Sequence, residues 1–404
     1  MAVKHADHPR VWPLRFISVE AASGVVLLLA AAVALLWANS PFAPSYWALW
    51  HLELSFGIAR YLPAHDLHFW VNDGLMTVFF LVVGLEIRSE MHDGSLSDPR
   101  VATLPIIAAL GGVAVPALFY VLLNTGSATR AGWAIPTATD IAFAVGILSL
   151  VGRGVPSALR MLLLTLAIID DIVAILVIAF VYSSGIAYTG LAIAAAGVVL
   201  VLVMQWLGIR QAPAYIVPGV IVWYGMLSAG VHPTLAGVIL GLLTSATVSS
   251  GRNQCIDPTA IPPLQQLIGK LHPYVAFGIM PLFALANAGV PLSGLDLSSG
   301  QPRAVASGIV AGLVLGKPIG ITLAALAAVA LKLCALPEGV QPRHLVLLGF
   351  LGGIGFTMSI FISNLAFGDP VLLSAAKFAV LVASGGAAVI GLALGRLQLR
   401  SPAK

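Results

Sequence analysis

Two adjacent aspartates, Asp170 and Asp171, sit in MLLLTLAIIDDIVAILVIAFV (residues 161–181), where Thr165 is the only other polar residue. A charged side chain at the centre of a membrane helix costs about 2.5–3.5 kcal/mol on insertion scales, so such residues default to function. A third acid, Asp140, lies in AIPTATDIAFAVG and a lysine, Lys317, in GLVLGKPIGITLA. One carboxylate and one ammonium would suffice to dock two helices. Three carboxylates against one ammonium leave surplus negative charge, which needs protons or a metal cation to offset it. Neighbouring helical positions point about 100° apart, so one aspartate can face Lys317 while the other faces a water-filled cavity. Two close carboxylates titrate as a coupled pair. Their hard oxygens suit a small alkali cation, and no histidine or cysteine cluster offers a transition-metal alternative.

The elements that must hold these residues are membrane helices. The 404-residue chain is 59% hydrophobic and 9% charged, with a mean hydropathy of +1.00, whereas roughly 25% of residues are charged in soluble domains. Apolar runs near the ~20 residues a helix needs to cross a bilayer recur along the chain, and the short alternating segments of a membrane β-barrel are missing. The lipid bilayer is therefore the first partner. The pI near 9.2 implies no nucleic-acid partner, because the basic residues are scattered along the loops. Cys255 and Cys334 lie in separate polar connections, so no disulfide framework is expected.

The pattern predicts an all-α polytopic protein with about twelve spans: 16–39, 67–90, 102–123, 132–151, 158–182, 187–207, 213–229, 231–245, 267–289, 304–331, 344–367 and 371–396. The first ends in AAAVALLWANS, whose small residues resemble a signal-peptide cleavage site, but its apolar stretch exceeds a signal sequence's usual 7–15 residues. Of the twenty lysines and arginines, only Arg60, Arg130 and Arg303 fall opposite the N-terminus, while Lys317 and Lys377 lie within spans. The positive-inside rule then predicts that both termini are cytoplasmic.

Spans 4 and 11 carry built-in breaks. Pro136 removes a backbone donor from span 4, and Thr137 and Thr139 can hydrogen-bond the freed backbone. Span 11, LLGFLGGIGFTMSIF, has Gly349, Gly352, Gly353 and Gly355 within seven residues, which weakens a helix and admits a neighbouring backbone. Both are the middle members of three-span groups, 3–5 and 10–12. Six spans separate them, so one group is inverted relative to the other. Interrupted segments in corresponding positions point to a transport site near the membrane midplane. Asp140 is expected to neutralise the positive half-helix ends there and Lys317 the negative ones.

NDGLMTVFFLVVGLEIRSE, TATDIAFAVG, LAIIDDIVAI, GVHPTLAG, LHPYVAFGIMPLFALANAGV, LGKPIG and GGIGFTMSIFI, in this order from span 2 to span 11, resemble the NhaA-type sodium/proton antiporter family. The resemblance implies one integral transporter domain over 1–404, with spans 3–5 and 10–12 as its core and the other spans as scaffold. It implies a non-enzymatic, electrogenic exchange of cytoplasmic Na+ or Li+ for external protons across a bacterial inner membrane, serving pH and sodium homeostasis without a resident cofactor. Asp170 and Asp171 would hold the cation and carry the protons. Thr139 and Asp140 would mark the unwound crossing, and Lys317 would pair with Asp170 in the empty site. Asp73, Glu86 and Glu90 match acids in and below span 2, where the family has a cytoplasmic funnel, and His232 matches a histidine tied to pH response. Residues 40–66, whose HLELSFG alternates like a strand, would form a periplasmic β-hairpin that pairs two copies into a homodimer.

Two departures bear on the pH response. GLEIRSE has Ser89 where the family's best-known member has a second basic residue, and LQQLIGKLHPY has Ile268 and Gly269 where that member carries a Glu-His pair. A shallower rise of activity with pH is expected. Two other classes remain open: an intramembrane aspartyl enzyme and a sodium-driven solute symporter. The first needs acids on facing helices or at G-x-G-D or D-x-x-x-D spacings, which are missing here. The second needs a substrate pocket that no motif indicates.

Overall fold

The computed structural model describes residues 12–55, 64–152, 154–183, 185, 187–209, 211–246, 262–293, 295–298 and 300–399. Cys255 and Arg60, singled out above, lie outside the described residues, as does much of the predicted hairpin, residues 56–63.

The apolar runs fold as helices in the predicted order. Span 1 is Trp12–Ala38, span 2 Leu67–His92, span 3 Pro99–Leu123, span 5 Ser157–Val181, span 6 Tyr188–Trp206 and span 7 Ala212–Ala229. Span 9 is Pro263–Asn287, span 10 Gly300–Ala330 and span 12 Pro370–Leu399. Spans 4 and 11 are each two helices, Ser127–Thr137 with Ile141–Val151 and Pro342–Gly352 with Phe356–Ala366, bent by 46° and 48° at their breaks. The halves are called 4a, 4b, 11a and 11b below. These paired breaks are the two interrupted helices expected from Pro136 and the glycine cluster.

Span 8, expected over 231–245, is helical only from Leu235 to Leu243. A left-handed Gly230 (φ 74°) closes span 7 immediately before it, and Pro233 delays the helix start. At nine residues it is too short to cross a bilayer alone. It packs along the second half of span 2, where Gly84 and Gly241 let the two backbones touch.

Spans 3, 10 and 11a form a closely packed set, with span 12 against the first part of span 10 and against 11a. At the crossing of spans 3 and 10, a Cβ on Gly111 would strike the carbonyl of Gly320, and one on Gly320 that of Gly111. Only glycine permits that approach. Span 5, which carries the aspartate pair, is the most enclosed of the long helices: 72% of its apolar window is buried, against 22% for span 6. Span 6 packs mainly on span 7 at the margin, and span 1 packs on 4b and span 9.

Between spans 1 and 2 a short helix, Ala43–Trp50, turns 116° away from span 1. Its Tyr46 hydroxyl donates to the carbonyls of Leu285 and Ala286 at the end of span 9. Strand β1 (Glu53–Leu54) then pairs antiparallel with β2 (His65–Asp66), with Glu53 opposite Asp66 and Leu54 opposite His65. The expected hairpin is thus a two-residue ladder among the described residues.

Candidate cation site

A broken helix leaves carbonyls without partners at one fracture end and N–H groups at the other. The breaks in spans 4 and 11 lie side by side, and each satisfies the other. Asp140, extended at φ −90°, ψ 103°, caps 4b by accepting from the Phe143 amide (3.0 Å). Its other oxygen accepts from the Thr357 amide (3.1 Å) and the Thr357 hydroxyl on 11b. One buried carboxylate therefore caps two half-helices, where the helix dipoles favour negative charge. Ser384 on span 12 covers a further amide of 11b, accepting from Phe356 (3.0 Å).

The carbonyl ends are covered differently from expectation. The Ser359 hydroxyl donates to Ile135 at the end of 4a (2.7 Å), and the Asp140 amide donates to Ile354 (2.7 Å). Thr139 reaches the Gly352 carbonyl at the end of 11a (2.8 Å). Lys317 is committed to Asp170, the pairing the family resemblance implied, and to the Thr139 hydroxyl (2.8 Å), with both charged side chains fully buried. A five-residue π-helical stretch, Gly312–Gly316, directly precedes Lys317. The Thr139 hydroxyl also lies 2.6 Å from Asp170. Its single proton can serve either the aspartate or the Gly352 carbonyl, so the threonine ties the ion pair to the fracture.

Asp170 and Asp171 point apart, as adjacent helical positions must. Asp170 turns to Lys317, and Asp171 lines a small, partly open cavity together with Asp140, Thr139, Thr357, Glu86 and His272. Oδ1 of each aspartate is buried and accepts no hydrogen bond. Unpaired buried carboxylate oxygens are costly and rare, and they are where a cation or a proton would bind. Among the described residues no group of three His, Cys, Asp or Glu side chains could hold a metal ion. A cation here would take its remaining ligands from neutral oxygens and water.

Beyond the site the cavity stops. Phe80 of span 2, Phe283 of span 9 and Phe361 of 11b form a buried layer, with ring centroids 5.4 Å (Phe80–Phe361) and 6.2 Å (Phe283–Phe361) apart. Of the remaining candidates, only Glu86 joins Asp171 in the cavity. Glu90 sits one turn further on and accepts from the Ser95 amide (2.8 Å) in the loop after span 2. Asp73 and His232 lie together near the opposite end of span 2, 3.9 Å apart and away from the cavity lining.

The family model described as Na+/H+ antiporter 1 matches residues 14–394. The chain belongs to this family. It is 52% identical over 423 residues to the Na(+)/H(+) antiporter NhaA 2 of Pseudomonas putida, covering 96% of this chain and 93% of that protein. It is 56% identical over 386 residues to the Na(+)/H(+) antiporter NhaA of Acidovorax sp., covering 94% and 91%. It is thus a multi-pass membrane protein of a bacterial antiporter family.

Within that family frame the departure at Ile268 has a structural basis. Ile268 is buried against Leu85 and Leu264, while Gly269 is exposed. Thr357, Ser359, Ser384 and His272 were not singled out from sequence. The first two are the polar residues of GFTMSIF, a visible signal. Ser384, in LVASGGA, looks like small-residue helix packing, and His272 looks like part of a helix start.

Thr357→Val keeps the side-chain shape but removes the hydroxyl that Asp140 accepts from. Hydrogen bonds to charged groups contribute about 1.5–3 kcal/mol, so thermal unfolding in detergent should shift clearly downward, with Thr357→Ser restoring it. A valine variant as stable as the parent would refute the shared-cap geometry.

Proposed function

We propose that this protein exports cytoplasmic Na+ or Li+ in exchange for external protons, by competition of cation and protons for Asp170 and Asp171. The observation that carries the reading is the pair of buried, unpartnered Oδ1 atoms beside a cavity lined by further acids. With both termini cytoplasmic, as the distribution of lysine and arginine implies, the Glu86 end of the cavity faces the cytoplasm and the phenylalanine layer closes the periplasmic side. The protein would then reside in the inner membrane in an inward-facing state.

The cycle follows from charge. Sodium entering past Glu86 binds the deprotonated pair and offsets its surplus charge, which weakens the hold of Asp170 on Lys317. The compact set of spans 3–5 and 10–12 then moves as the core against the remaining spans and opens the site outward. External protons displace the ion, and the neutralised site returns. Bare carboxylates are costly to carry across the barrier, so only loaded or protonated forms move readily. One monovalent cation leaves while two carboxylates are reprotonated, so the exchange moves net charge. No cofactor is needed, because Na+ and H+ are cargo. His232 and Asp73 would respond to pH apart from the cavity, and Glu86 and Glu90 at its inner end.

Proteoliposomes holding only this protein should exchange sodium for protons with no organic solute present, and Asp171→Asn should abolish the exchange by removing a ligand and a titrating proton together. A well-folded Asp171→Asn variant with near-normal exchange would sink the assignment.

Protons occupy the same oxygens as sodium, so apparent sodium affinity must fall as pH falls. Beyond that competition the pH dependence should be shallow, because the Glu-His positions hold Ile268 and Gly269. Gly269 is exposed, so Gly269→His should be tolerated and should steepen the rise of activity between about pH 6 and pH 8. Exchange rates at saturating sodium decide the point: an equally steep switch already present in the parent would contradict it.

The region 40–66 would pair two copies through its hairpin. Deleting residues 53–64 spares Trp50, which is buried under the span 1–2 connection, and should give monomers that still exchange ions. Crosslinked dimers as abundant as in the parent would remove the hairpin from the interface.

A further inference from the structure

Three helices repeat one order along their length. On span 9, Met280 lines the cavity, Phe283 lies in the aromatic layer and Asn287 follows one turn on. On 11b the order is Thr357, Phe361 and Asn364. On span 2, read towards its start, it is Val83, Phe80 and Asn72. The three asparagines meet on the far side of the layer from the cavity, and Lys377 of span 12 joins them.

Asn287 is the node. Its Nδ2 donates to Asn72 Oδ1 (2.7 Å) and to the Phe283 carbonyl (3.0 Å). Its Oδ1 accepts from Asn364 Nδ2 (2.8 Å) and Lys377 Nζ (3.5 Å). The orientation of this amide is fixed from both ends, because a carbonyl can only accept and an ammonium can only donate. Nε2 of His68 lies 3.2 Å from the same oxygen. One amide, 1% exposed, thus gives its donors to spans 2 and 9 and offers its acceptor to spans 11 and 12. Its bonds divide along the boundary between the scaffold and the core of the exchange cycle proposed above.

Charge is arranged here unlike in the cation site. Lys317 meets a carboxylate, that of Asp170. Lys377 meets a neutral amide oxygen at the long end of hydrogen-bond range, and among the described residues no carboxylate lies within 4.0 Å of it. Asp66, at the start of span 2, caps that span by accepting from the Phe69 amide (2.8 Å). The boundary is therefore crossed by bonds to an uncharged acceptor. Neutral hydrogen bonds can be traded for water at small net cost. Breaking a buried ion pair leaves an uncompensated charge and is far more costly.

We propose that Asn287 is the lock of the outer gate, and that its neutrality sets the strength of that lock. With an amide at this position the outer side is held shut in the inward-facing form and still opens in every cycle. A carboxylate in its place would pair with Lys377 across the boundary and hold the gate closed. The inference rests on the orientation and alternating exposure proposed above. Its logic is that of a two-state equilibrium: a contact made in only one state biases the populations by its whole strength. A contact that must be broken once per turnover has to be weak.

The test reads opening directly. Met76 is fully buried and lies four positions from both Asn72 and Phe80. In a background with Cys255→Ser and Cys334→Ser, Met76→Cys places a thiol between the asparagines and the aromatic layer. A membrane-impermeant methanethiosulfonate reagent, applied outside right-side-out vesicles at constant pH, reaches that thiol when the outer side opens. Asn364→Ala removes the shortest bond across the boundary and should raise the labelling rate about three- to tenfold, the weight of one neutral hydrogen bond. Asn287→Asp should lower labelling and sodium-driven proton flux together, by about tenfold or more. Adding Lys377→Gln to Asn287→Asp removes the ion pair and should return labelling at least to the parent's rate. No rise in Asn364→Ala overturns the lock, and that arm decides alone if Asn287→Asp does not assemble. An assembled Asn287→Asp variant that labels and exchanges like the parent overturns the role of neutrality. Flux in the parent separates the two readings: flux present with labelling unchanged by Asn364→Ala removes the lock alone, and flux absent from the parent removes the exchange reading.

Discussion

Everything in this structure turns on the cost of unpaired polar groups where water is scarce. Two broken helices side by side expose amides and carbonyls that a membrane interior cannot satisfy. Asp140 accepts from the ends of both 4b and 11b, and Ser359 and Thr139 return the favour to the carbonyl ends of 4a and 11a. Because each break depends on groups from the other, neither span can be unwound alone. The crossing is one unit, and the carboxylate that joins its halves also lines the cavity.

The same rule explains why the site is poised and not inert. Lys317 and Asp170 satisfy each other, and Thr139 couples that pair to the Gly352 carbonyl. What stays unsatisfied is one oxygen on each aspartate. A fully paired cluster would be a structural ion bridge, with no reason to exchange anything. An isolated pair without Lys317 would carry two uncompensated charges when empty. One ammonium among three acids leaves a deficit that a monovalent ion or protons can fill, and either would compete with the lysine for Asp170.

Much of this was legible in the residues. The three acids and the lysine stood out because charge in an apolar run has few innocent explanations, and the breaks because proline and clustered glycine act locally. The divergence of Asp170 and Asp171 followed from helical geometry alone. What was not legible depended on contacts across the chain. Lys317 was expected at the carbonyl ends, yet hydroxyls reach those carbonyls, and a serine's partner cannot be read from its neighbours in sequence. Ser384 caps 11b from 28 positions away. Glu86 and Asp73 share one span and one sequence motif, but only the structure separates them, with Glu86 in the cavity and Asp73 beside His232. Span 8 was overestimated because hydropathy reports composition, while Gly230 and Pro233 decide where helix begins.

The polar node around Asn287 extends the same economy to the other side of the barrier. Span 2 contributes to both ends: Glu86 lies in the cavity, Phe80 in the aromatic layer, and Asn72 and His68 in the cluster around Asn287. Span 11b does likewise, through Thr357, Phe361 and Asn364. A movement of 11b against span 2 that opens the outer side must therefore disturb the cap on Asp140 or carry Asp140 with it. Because Asp140 is bonded to Thr357 of 11b, a movement of 11b would carry Asp140 with it.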